Sequence, residues 1–118
     1  MPRLDAGALV ETGLPESSAQ VASRISLAWQ AAVARNGGHP NAALRGQRLL
    51  AACALDRRSR ETLTEMARGL QLTARSVHRI LRVARTVADL RQLERVSSNE
   101  ILAATSLRDR SIEMELAA

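Results

Sequence analysis

Apolar residues recur at helical spacing between residues 17 and 108, in runs separated by turn signals, and no stretch alternates as a half-buried strand does. Ser17 or Ser18 can cap a first helix, in which Val21, Ile25, Ala28, Trp29 and Ala32 share a face. The run Gly37-Gly38-His39-Pro40 ends it. A short helix is predicted from about Gly46 to Cys53, burying Leu49, Leu50 and Cys53. Asp56 is placed to cap a third, with Leu63, Met66, Ala67 and Leu70 on one side and Gly69 as its C-terminal glycine.

The longest run is the most informative. Thr73 can cap it, and Val77, Ile80, Leu81, Ala84, Val87 and Ala88 fall within about 120° of arc at roughly 100° per residue. Arg75, His78, Arg79, Arg82, Arg85 and Asp89 occupy the opposite arc, which predicts a solvated face. Ser97 and Glu100 have capping-box spacing ahead of a last helix carrying Ile101, Leu102 and Thr105. The pattern predicts an all-α domain, a compact bundle of about five helices. Residues 1–16 are expected to be a flexible arm or linker, 17–108 the folded unit, and 109–118 a fraying tail.

Composition supports the helical class. Of 118 residues none is Phe or Tyr, and Trp29 is the single aromatic. A core of Leu, Ile, Val, Ala and Met suits helices better than sheets. The net charge is +5, and all 17 basic residues are Arg. GC-rich codon usage alone produces that bias, so charge does not name the partner; phosphate is the chemistry arginine suits best. Cys53 is the only cysteine, which excludes an internal disulfide and a cysteine cluster, and its apolar neighbours predict a buried thiol. No apolar run approaches the length of a membrane span, so a cytoplasmic protein without membrane contact is expected.

Little catalytic chemistry is present. With no Lys, the chain cannot form a GxxxxGK[ST] phosphate loop. His39 and His78 are far apart, and no metal-ligand spacing occurs, so neither a catalytic residue nor a metal site is assigned. Asp56, Glu61, Glu65, Asp89 and Glu94 each have an Arg within a helical turn and read as surface ion pairs. The chain alone is not expected to be an enzyme or to hold a cofactor.

Three functional readings of the arginine face compete. Residues 63–81 have the outline of a helix-turn-helix, in which Arg75, Ser76 and Arg79 would meet DNA. A helical protein-interaction module is the plainest alternative. The third rests on resemblance. Asn41-Ala42-Ala43-Leu44, Cys53-Ala54-Leu55-Asp56 and above all Leu72-Thr73-Ala74-Arg75-Ser76-Val77-His78-Arg79-Ile80-Leu81-Arg82-Val83-Ala84-Arg85-Thr86-Val87-Ala88-Asp89-Leu90 resemble the C-terminal part of magnesium-chelatase-like AAA+ ATPases. The similarity is to the bacterial branch related to competence and branch-migration helicases. It covers most of residues 16–108; Trp29 departs from it, standing where the family has a basic residue.

The resemblance implies a helical lid that follows an ATPase core. It implies that Arg75 is a sensor-type arginine contacting the γ-phosphate of ATP, with ATP and Mg as cofactors of the parent protein. It implies as partners the core of the same parent and neighbouring subunits of a ring, with DNA a further possibility. His78, Arg79, Arg82 and Arg85 are the candidates for contact with a partner or nucleic acid.

Overall fold

Three of the helices begin where a side chain accepts an open amide, at Ser17, Asp56 and Thr73, whereas the one that follows Arg45 has no side-chain cap. The computed structural model describes residues 16–117, and side chains from residue 16 to residue 108. Helix α1 spans Ser18–Arg35, followed by a 3-10 turn at Asn41–Ala43. Then come α2 (Gly46–Cys53), α3 (Arg57–Gly69), α4 (Ala74–Leu90) and α5 (Ser98–Ala117). No strand occurs among the described residues. The expected N-terminal arm lies outside them apart from Glu16, as do the side chains of the expected tail.

Ser17 and Gln20 form a reciprocal capping box on α1, at 3.1 and 2.8 Å. Asp56 accepts the amide of Ser59 at 2.8 Å to start α3. Thr73 accepts the amide of Ser76 at 3.1 Å to start α4. Ahead of α5 the Glu100 carboxylate accepts the Ser97 amide at 2.8 Å and the Ser97 hydroxyl at 2.5 Å.

Helix ends differ from expectation in one respect. Gly69 is still helical, and the left-handed residue after α3 is Gln71, at φ 52°. The Leu72 amide reaches back to the Ala67 carbonyl and the Gln71 amide to Arg68, the double bond of a Schellman stop. The end of α4 repeats the device, with Gln92 at φ 59° and the Leu93 amide bonded to Ala88. A left-handed turn was legible, but its register was two residues off.

Helix α4 is the hub, packed by α1, α2, the 3-10 turn and α5. Its Ile80, Leu81, Ala84 and Ala88 are buried with Leu49 and Cys53 of α2, Ile101 and Ala104 of α5, and Leu44 and Val96 from loops. Full burial of a side chain such as Leu81 contributes about 1.5–3 kcal/mol. Helix α3 lies on α5, where the hydroxyls of Thr62 and Ser98 meet at 2.8 Å.

Only small residues of α1 face the core. Ala28 and Ala32 are buried, whereas Ile25 and Trp29 are 54% and 58% exposed. The expected apolar face of α1 is therefore split, because alanines let α1 approach α4 closely and leave the larger side chains at the rim. No described helix is long and apolar enough to cross a membrane.

Candidate functional site

Two flanks of α4 carry polar groups with opposite fates. The first holds Arg85 and Asp89, expected on the solvated face but almost fully buried. The physical reason is that carbonyls and Asp89 pair with the Arg85 Nη atoms, and guanidinium and amide donors with Asp89, so burial does not leave charge uncompensated, although Arg85 Nε is buried without a partner. Arg85 Nη1 donates to the carbonyls of Ala52 and Glu94 at 2.8 Å each. Its Nη2 donates to Leu93 O at 2.7 Å and lies 3.0 Å from Asp89 Oδ1. Arg85 thus ties the end of α2 and the α4–α5 loop to α4. Burial lowers its pKa first, and the Asp89 charge offsets part of that.

Asp89 also receives Arg35 at 2.7 Å and the Asn41 amide at 2.9 Å. Asn41 accepts from Arg35 at 2.9 Å and from Asn36 at 2.8 Å, and donates to Thr86 at 3.1 Å. This knot joins α1, the 3-10 turn and α4. It offers no group to a partner, so Arg85 is removed from the contact candidates, and Asp89 is not a surface ion pair. Of the acids read that way, Glu61 does pair with Arg57, at 3.4 Å.

The second flank is open. Arg75 lies in the first turn of α4, exposed, next to the capped N-terminus. Arg79 is exposed, and Arg82 and His78 are half-buried. Arg75, Arg79 and Arg82 follow at i, i+4 and i+7, which places them along one face over about 10 Å of helix at 1.5 Å per residue. Arg45, from the loop before α2, joins them. Its Nη1 donates to the carbonyls of Ala42 and Leu44 at 2.7 and 2.8 Å, and Arg82 Nη1 reaches Leu44 O at 3.4 Å.

Among the described residues none of these four arginines forms an ion pair with a carboxylate. Partial burial depresses the pKa of Arg82, and repulsion from Arg45, Arg79 and Arg75 adds to it. Four like charges that share a neighbourhood without a counter-charge make a surface of positive potential. Periodicity found three of them. Arg45 was missed because a loop residue carries no periodic signal.

The groove beside Arg79 and Arg82 is walled by Ala42, Val83 and Thr86. Ala42 and Thr86 also wall a second, apolar groove, lined by Ile25, Trp29, Pro40 and Leu90. The two therefore adjoin, with the indole in one and the guanidinium groups in the other. No group of three or more His, Cys, Asp or Glu side chains gathers as a metal site among the described residues.

The helix-turn-helix outline is weakened by the packing, since the main helix contact of α3 is with α5 rather than with α4. What the fold defines is an all-helical domain built on one long amphipathic helix, with a buried polar knot on one flank and an arginine row on the other. Residues 15–108 match the family model described as magnesium chelatase, subunit ChlI C-terminal. The chain belongs to that family, the C-terminal lid of magnesium-chelatase-like AAA+ proteins. Comparison with curated proteins and with solved structures gives no match.

Proposed function

We propose that this chain serves as the nucleotide-sensing lid of an AAA+ ATPase, with Arg75 as the side chain that contacts the γ-phosphate of ATP. The observation that carries the reading is the placement of Arg75. It is exposed, unpaired with any described carboxylate, and held in the first turn of a capped helix fixed at the centre of the bundle. A helix N-terminus favours anions, and a guanidinium there adds a bidentate phosphate contact. One such cation on a rigid lid can read the nucleotide's terminal phosphate and transmit its presence to lid position.

ATP and its magnesium would be held by the ATPase core of the parent protein, with Arg75 completing the site from above. The lid would dock on that core and, in a ring, beside a neighbouring subunit.

The test is Arg75→Ala in a protein that carries this lid behind its ATPase core. A charge-assisted hydrogen bond of about 1.5–3 kcal/mol corresponds to a loss of about ten- to a hundredfold in ATP turnover. The circular dichroism spectrum should not change. Unchanged turnover removes the sensor role from Arg75. The chain by itself should hydrolyse no ATP, and reproducible turnover by the purified chain would contradict the lid reading.

A further inference from the structure

The adjoining grooves on α1 and α4 carry a function that the lid role does not use. Trp29 is the only aromatic residue of the chain, and it is 58% exposed. A domain that needed its aromatic for stability would bury it, since an indole is the largest apolar side chain available. Here Trp29 lies in a groove with Ile25, Pro40 and Leu90. That groove shares Ala42 and Thr86 with the one lined by Arg79 and Arg82. Arg45 stands at the far side, converging with Arg82 on the Leu44 carbonyl.

We propose that this double groove binds a single strand of nucleic acid, with one unpaired base stacked on Trp29 and consecutive phosphates held by Arg79, Arg82 and Arg45. The chemistry matches at both ends. Every base offers a flat π-face to an exposed indole, and stacking of this kind tolerates any sequence. Planar guanidinium groups suit phosphate, and a row of them tracks a backbone. A duplex fits poorly, because its paired bases cannot reach the Trp29 face. The assignment does not depend on Arg75 and stands apart from the ATP reading.

Trp29 is the only tryptophan and hence its own reporter. Titration of the full chain with oligothymidylate should quench Trp29 emission, and fluorescence anisotropy of a labelled strand should rise over the same range. Oligouridylate in parallel separates DNA from RNA as the preferred strand. Trp29→Ala should weaken strand binding by about tenfold or more, and Trp29→Phe should restore most of the affinity by anisotropy. Arg79→Ala and Arg82→Ala should each reduce the salt slope by about 0.7, the increment per phosphate on a single strand. These positions are exposed or half-buried, so the variants should keep the helical spectrum.

Polyaspartate is the control for an acidic polypeptide partner. It should not quench Trp29 emission, and its own affinity should be unaffected by Trp29→Ala. If it quenches Trp29 and loses affinity in the variant as oligothymidylate does, the groove is a site for acidic protein and the proposal is wrong. Strand binding without quenching, strand binding indifferent to Trp29→Ala, or no binding at low salt would each overturn it as well.

Discussion

Arg35 and Asp89 meet in a two-point ion pair, Nη1 to Oδ1 at 2.7 Å and Nη2 to Oδ2 at 3.0 Å, that joins the end of α1 to the last turn of α4. The Asp89 side chain is 2% exposed, and its Oδ1 is shared with the fully buried Arg85 at 3.0 Å. Two cations on one buried carboxylate make Asp89 the keystone of the knot.

Asp89→Ala should therefore destabilise strongly. It leaves Arg85 as a buried cation without its counter-charge and frees Arg35 from the core. Breaking a buried pair in this way costs about 3–5 kcal/mol, a large share of the roughly 5–15 kcal/mol that holds a domain folded. Urea unfolding at neutral pH measures it. A loss under about 1 kcal/mol would mean that the knot is more open to water than its burial indicates.

The knot also explains which parts of the chain were legible. Helical periodicity located α3 and α4 and their caps at Asp56 and Thr73, because those rest on local spacing and on short side chains beside open amides. It misassigned Arg85 and Asp89, because periodicity counts charge as polar and cannot see that carbonyls of Ala52, Leu93 and Glu94 wait inside. The motif residues Asn41, Cys53, Arg85 and Asp89, which carried the family resemblance, hold the fold together. Arg75 and Arg79 are the arginines of the long motif left facing outward. The arginine surface was only partly readable, since Arg45 reaches it through tertiary folding and Trp29 faces outward only because Ala28 and Ala32 take the inner side of α1.

Cys53 should be chemically silent in the native protein. It is fully buried, with its Sγ 3.7 Å from the Leu81 carbonyl. Burial pushes the thiol up to about 11, against the opposing pull of Arg85 and Arg35. The reactive thiolate is thus scarce at neutral pH, and reagent access is closed. Labelling with a disulfide reagent should be negligible until denaturant is added, then stoichiometric. Rapid labelling without denaturant would contradict the packing of α2 on α4.

Acid should loosen the start of α5. Burial pushes the Glu100 carboxyl up, but hydrogen bonds from the Ser97 hydroxyl and amide, together with Arg91 at 2.9 Å, outweigh it. Its folded value lies below the ordinary 4.5. The unfolded chain then binds a proton more readily than the folded one. The stabilisation is complete above that ordinary value and is lost as pH falls below it toward the folded value. Asp56, held low by the Ser59 amide and hydroxyl, adds to the same decline. Stability should be flat down to about pH 5 and fall below it, and Glu100→Gln should flatten the fall while lowering stability at neutral pH. An acid slope identical in that variant would remove Glu100 from the explanation.

The end of α3 offers a test of register. Gly69 is helical, and a Cβ added there meets nothing within 4 Å, so Gly69→Ala should stabilise by about 0.5–1 kcal/mol through helix propensity. Were Gly69 the left-handed stop instead, the same change would destabilise by about 1 kcal/mol or more. Gln71 holds that strained position at φ 52°. Gln71→Gly relieves the clash of its Cβ and gives back part of the gain as unfolded-chain entropy, for a net of up to about 1 kcal/mol. The two sites are separated by Leu70 and share one capped turn, so the double variant measures their coupling. Thermal unfolding of Gly69→Ala, Gln71→Gly and the pair should show three upward shifts. A downward shift for Gly69→Ala would move the stop back to Gly69 and undo the Schellman geometry described for α3.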